Sequence, residues 1–287
     1  MANLKEIRKR IASIKSTMQI TSAMKMVSAA KLKKAQDAVT AVLPYWSKLS
    51  NLLQKLSTTG EKNEEVDLFF TQRPINKILL VSITSNRGLC GGFNTSIVKK
   101  TAKIINERYK HASVHLLTIG KKGDDILSKE FYIVENRNDI FDQLTIDNVS
   151  KLADKLKDLY ISKTYDKIEI IYNNFKNAAT HITQVEQFLP VKFIDKPILK
   201  PFESIFEPLK EEIVLDLIPK LLKIQLYKAI RNSFAAEHGA RMTAMHKATD
   251  NAKELRDDLL LTYNKARQAA ITNEILEIVG GAEALNK

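Results

Sequence analysis

KLLKIQLYKAIRNSFAAEHGARMTAMHKATDNAKELRDDLLLTYNKARQAAITNEILEIVGGAEALNK, residues Lys220–Lys287, decides how the rest of the chain is read. It holds one glycine, Gly239, before the Gly280-Gly281 pair, and no proline. Its Ala, Leu, Lys and Glu residues favour a helix and nothing inside it ends one. Apolar or small side chains recur at Ala248, Ala252, Leu255, Leu259, Thr262, Ala266, Ala269 and Leu276, the three-four spacing of a coiled-coil seam. At 1.5 Å per residue a continuous helix here is ~90 Å long, about twice the width of a compact domain of this mass. No globular core needs such a length. A spacer, lever or shaft does.

The amino-terminal end carries a matching element. Leu4, Ile7, Ile11, Ile14 and Met18 step by three and four, and the stepping returns at Val39, Val42, Trp46, Leu49, Leu53 and Leu56. Between them the seam thins to Ser22, Met26, Ala29, Leu32 and Ala35, small residues that allow close approach but bury little area. Pro44 removes a backbone donor and predicts a bend. A seam at each end of the chain predicts an antiparallel pair, residues 1–58 with 209–287, with a domain inserted between them.

The inserted stretch, 74–192, changes period. Ile75–Thr84 is a β-branched-rich run of the kind that forms a buried strand, after a polar linker at Glu61–Asp67. Asn86–Gly92 is a glycine-rich turn, with Asn94 or Thr95 as the cap of a helix running to Tyr109. Strands at Val114–Ile119 and Phe131–Val134, a short helix at Gly123–Lys129, a helix capped by Asp147 or Asn148, and strands at Lys167–Phe175 and Thr183–Leu189 follow. This alternation predicts a Rossmann-like α/β domain with a largely parallel sheet. Residues 191–208 read as a connecting loop, Pro208 to Asp216 as a short helix, and Pro219 as the first turn of the long one.

Composition narrows the function. No run of eighteen apolar residues occurs, and one cysteine, Cys90, excludes an internal disulfide. The net charge is +12, and residues 1–60 supply +9 of it, eleven Lys or Arg against Glu6 and Asp37. A basic arm faces something acidic: nucleic acid, anionic lipid or an acidic protein surface. Aromatic residues for base stacking are absent before Tyr45 and Trp46, so a basic coiled-coil nucleic-acid binder stands as the alternative reading.

Catalytic and cofactor chemistry finds little footing. The Asn86–Gly92 turn follows a strand and precedes a helix, where phosphate loops sit, yet it has neither the P-loop Lys-Ser/Thr nor the GxGxxG spacing. A structural turn is the reading adopted. Cys90 has Arg87 near it but no histidine partner, and His111, His115, His181, His238 and His246 are scattered. No nucleophile–base set or carboxylate pair is visible, and no cofactor or metal is expected.

ITSAMKMVSAAKLKKAQ (residues 20–36), SNRGLCGGFN (85–94), GARMTAMHKATDNA (239–252) and ITNEILEIVGGAEA (271–284) resemble, in this order, the motifs of F-type ATP synthase gamma subunits. The resemblance spans the chain from Asn3 and implies a non-catalytic central rotor stalk. The terminal helices would stand inside a catalytic hexamer of alpha and beta subunits. The α/β domain would rest on epsilon and the membrane c-ring. It further implies that Met24, Lys25, Arg241, Arg267, Gln268 and Thr272 meet the hexamer and that Glu207 lies close to epsilon and the ring. Nucleic acid would be no partner, and the membrane would be reached only through the complex. The chloroplast relatives' cysteine-bearing insertion is missing, and a match starting at Asn3 implies a bacterial enzyme, peripheral on the cytoplasmic face of the cell membrane.

Overall fold

A computed structural model describes residues 4–57, 64–192 and 207–285. The elements, in order, are α1 (Leu4–Ser57), α2 (Glu64–Phe70), β1 (Lys77–Ile83), α3 (Phe93–Arg108), β2 (Ser113–Ile119) and α4 (Lys121–Leu127). Then come β3 (Ile133–Asn136), a 3-10 turn (Asn138–Phe141), α5 (Ile146–Ile161), β4 (Lys167–Asn177), β5 (Thr180–Leu189) and α6 (Lys210–Leu285). The chain divides into two compact units, Met1–Ser28 with Met242–Lys287, and Ala29–Arg241.

The second unit is built on a five-stranded sheet of order β3-β2-β1-β4-β5. β1 lies parallel to β2 and β4, β2 parallel to β3, and β5 returns antiparallel to β4. The return is tight because the Asn177 carboxamide oxygen accepts the Ala179 and Thr180 N–H groups, closing an Asx turn. Six of the seven β1 residues are buried, as a central parallel strand covered on both faces requires. Period two sends Ile78 and Leu80 toward Phe93, Ile97 and Ile104 of α3, and Leu79, Val81 and Ile83 toward Val149, Leu152 and Leu156 of α5. Leu49, Leu53 and Leu56 of α1 and Val214, Ile218 and Leu222 of α6 add a further layer to the α5 side.

The elements depart from the sequence reading at their ends. The supposed linker, Glu61–Asp67, gives way at Glu64 to α2, because Phe69 is buried and Val66 and Phe70 pack against the core. Asn94 is no cap: α3 begins at Phe93 after Gly92, and the Asn94 side chain turns back to accept the Ser85 N–H at 3.0 Å. The cap of α5 is Thr145, whose hydroxyl accepts the Asn148 N–H, and not Asp147 or Asn148. The separate helix before Asp216 is the start of α6 itself, and Pro219 lies in that helix's interior. A proline there costs ~3 kcal/mol. Val214, Ile218, Leu221 and Leu222, all buried around it, offset that at ~1.5–3 kcal/mol each. α1 likewise remains helical through Pro44. Most of the expected 191–208 loop lies outside the described residues.

The first unit is an antiparallel helix pair. Thr21 and Thr249 share a 2.7 Å hydroxyl hydrogen bond, and Arg8 donates to the Tyr263 hydroxyl at 2.9 Å, with its guanidinium over that ring. This register sets Ile7 level with Tyr263, Ile14 with Arg256 and Lys25 with Met245. The α1 seam does not change course between residues 18 and 32. It continues through Thr21, Lys25 and Ser28, buried or half-buried, while Met26 is 64% exposed. On α6 it runs through Met245, Thr249, Ala252, Arg256, Leu259, Tyr263, Ala266 and Ala270, leaving Leu255 and Leu261 outside. Apolar letters placed the α1 stripe apart from Met26, but half of the α6 stripe, Leu255, Thr262, Ala269 and Leu276, is exposed. Arg and Tyr bury their stems as readily as a leucine does, and a hydroxyl paired across the seam is satisfied there.

Candidate functional site

Parallel sheets bind ligands at the carboxyl ends of the strands where the winding reverses, here between β1 and β4. The β1 end is held by a polar network. Thr84 Oγ1 accepts the Gly123 N–H at 2.9 Å, and Gly120, with φ of 109°, has no room for a Cβ against the Thr84 carbonyl. Ser85 donates its hydroxyl to the Arg87 carbonyl at 2.7 Å, and Asn94 donates to Ser85 Oγ and to Cys90 Sγ. Leu89 and Gly91 take positive φ, which folds the turn back on itself. Cys90 is 1% exposed, and burial pushes its thiol pKa up, against an opposing pull from Ser85 and Arg241. This is an inert, packed thiol.

A phosphate loop points N–H groups at its ligand. This turn points carbonyls at a cation. Arg241 of α6 donates to the Arg87 carbonyl at 2.8 Å and the Gly88 carbonyl at 3.2 Å, and its other terminal nitrogen meets Glu237 at 2.6 Å. Burial raises the Glu237 carboxyl pKa, with Arg241 pulling against it. Beside them His238 packs edge-on to Phe234 at 4.4 Å and has neither ring nitrogen bonded. Burial, followed by the charges of Arg241 and Lys31, drives its pKa down to about 3. Gly239 lets α6 approach the β4–β5 turn, since a Cβ would lie 3.2 Å from the Ala178 carbonyl. The mouth of the sheet is filled by the chain's own helix.

Arg241 is therefore turned inward, 7% exposed. Met24 and Lys25 are half-buried on α1, whereas Arg267, Gln268 and Thr272 are exposed on α6, with Thr272 donating to the Gln268 carbonyl. Lys25 is level with Met245, and Arg267 lies twenty-two residues further along α6, ~33 Å at helical rise. The two groups form separate patches. Glu207 is exposed ahead of α6.

One surface was missed by residue-by-residue reading. In this register Leu4, the first described residue of α1, faces Ala266. Ile271, Ile275, Leu276, Ile278 and Val279 are 48–71% exposed, and Leu276 is not a seam residue. A contiguous apolar tip of this kind marks an interface. Among the described residues no three or more His, Cys, Asp or Glu side chains converge as a metal site, and no helix is long and apolar enough to cross a membrane.

A family model described as ATP synthase matches residues 3–285. The chain is 64% identical over 289 residues to the ATP synthase gamma chain of Flavobacterium psychrophilum, covering 99% of each chain. It is similar to a chain in the central stalk and c-ring structure of the Tetrahymena thermophila mitochondrial ATP synthase, with a TM-score of 0.58, 25% identity, and coverage of 80% of this chain and 99% of that one. A chain of the Euglena gracilis mitochondrial ATP synthase shares the fold, with a TM-score of 0.70 at 20% identity over 98% of this chain and 94% of that one.

Proposed function

The chain belongs to the family of ATP synthase gamma chains, non-catalytic central-stalk subunits of F-type ATP synthases, and we propose how its two units carry out that role. The terminal coil, residues 1–58 with 209–287, stands inside the hexamer of alpha and beta subunits as an asymmetric shaft. Met24 and Lys25 form one contact and Arg267, Gln268 and Thr272 a second, further toward the tip. The α/β domain, residues 74–192, rests on epsilon and the c-ring, with Glu207 facing them. The complex lies on the cytoplasmic face of the cell membrane, and this chain reaches the membrane only through its partners.

No bond is made or broken by this subunit. Ion flow turns the ring and the attached domain, and the shaft presents a different side to each catalytic site in turn. Each site is thereby shifted among states of different nucleotide affinity, because the shaft binds those states unequally. The observation that carries the reading is the apolar tip from Ile271 to Val279, which has no cover among the described residues and suits a sleeve supplied by partners. Co-expression with alpha and beta subunits is the test. An ATP-hydrolysing assembly containing this chain, with rotation stopped by a disulfide between shaft and sleeve, is the expected result. A monomer that ignores alpha and beta and holds DNA at physiological salt overturns it in favour of the basic-arm alternative.

A further inference from the structure

We propose that Arg241 is a force-bearing clamp inside the chain, a positioning residue that fixes α6 to the mouth of the sheet. Residues 153 and 154 positions apart in the sequence are joined by the two bonds from one guanidinium to the Gly88 and Arg87 carbonyls. Arg is suited to this place because its planar fork reaches two carbonyls and a carboxylate at once, which the single ammonium of lysine cannot do in the same geometry. Glu237, one turn earlier on α6, neutralises the charge at 2.6 Å and keeps the fork oriented. Both side chains are buried, at 8% and 9% exposure, so water offers neither a substitute partner.

The clamp sits where slippage would matter. Arg241 is the last residue of the α/β unit, and the turn it grips joins β1, the most buried strand, to α3. A helix held there only by apolar packing can slide, because packing is non-directional. Two directed bonds to main-chain carbonyls oppose both sliding and rotation about the helix axis. Torque applied to the sheet then reaches α6 through the turn. That last step rests on the rotor reading; the clamp itself does not.

The chain contains its own reporter, since Cys90 is the only cysteine and sits in the clamped turn. In the isolated full-length chain, N-ethylmaleimide should label wild-type Cys90 slowly. Arg241→Ala should speed labelling on the order of tenfold, as loss of a buried charge-assisted bond does for a local opening. Arg241→Lys should fall between, and Glu237→Gln should speed it less than Arg241→Ala. Folding of each variant is followed by circular dichroism, and Lys serves if Ala does not fold. Labelling that stays at the wild-type rate in both Arg241 variants removes the clamp. In complexes reconstituted into vesicles, Arg241→Lys should lower ATP-driven ion pumping per ATP hydrolysed. A wild-type ratio there, with labelling already raised, removes the force-bearing role while leaving the rotor reading intact. Failure of the wild-type chain to enter the complex removes the rotor reading alone.

Discussion

The two halves of α1 follow one heptad repeat and meet α6 in different ways. From Leu4 to Ser28 only Ile7, Thr21 and Ser28 are buried, and the rest of the stripe is half-open. From Leu49 to Leu56 the same repeat gives Leu49, Leu53 and Leu56 at 7%, 0% and 2% exposure. Side-chain type does not account for this, since Ile11, Ile14 and Met18 are as apolar as the leucines. The difference is the third layer. A two-helix pair covers one narrow stripe, whereas the sheet and α5 close over the second segment from another side. A bare pair is therefore an element with faces left over, and the charged and apolar residues on those faces are available to other chains.

That contrast can be broken most directly by truncation. Leu53→Ala removes a fully buried side chain and should cost ~2–5 kcal/mol, whereas Ile14→Ala should cost about 1 kcal/mol because its site is already part-solvated. Urea unfolding of the isolated chain checks both, and equal losses would show that the coil is as tightly packed as the domain.

A smaller effect sharpens the electrostatic side of the comparison. His238 in the domain has its pKa held down to about 3 by burial, Arg241 and Lys31, against about 6.5 for an unfolded histidine. The unfolded chain then binds a proton that the folded one refuses, so stability from this site is complete above about pH 6.5 and falls as pH drops toward 3. At pH 5 the loss is about 2 kcal/mol. His238→Phe should flatten the acid limb by that amount between pH 7 and 5. An unchanged acid limb in His238→Phe would mean that the imidazole is solvated in solution.

The smallest expected effect on stability belongs to the tip. Ile278→Ser changes a side chain 71% exposed near the end of α6, so unfolding should shift by less than ~0.5 kcal/mol. Binding to alpha and beta subunits should nonetheless weaken. Stability loss without binding loss would place an unseen intrachain partner on the tip.

The fold was legible because its signals are periodic. β1, β2, β4 and both terminal helices emerge from runs of apolar residues that tertiary packing then used as written. What resisted reading was polar and long-range. Thr21, Lys25, Arg256 and Tyr263 belong to the seam but look like surface residues in a list of letters. Thr145 caps α5 ahead of the Asp147 and Asn148 that look equally suited, because backbone geometry and not composition selects the cap. The partner-contact residues rest on resemblance, since no spacing or residue type in the sequence singles them out. Even so, nothing in GARMTAMHK states that Arg241 closes on carbonyls more than 150 residues upstream.

The inward-facing carbonyls of Arg87 and Gly88 have one more effect, on what the chain can sense. Their partial negative charges and the Glu237 carboxyl occupy the position where related sheets welcome a phosphate. A phosphate brought to that mouth would meet carbonyls and a carboxyl in place of N–H donors. The feature that would have made this end of the sheet a receptor makes it a joint instead.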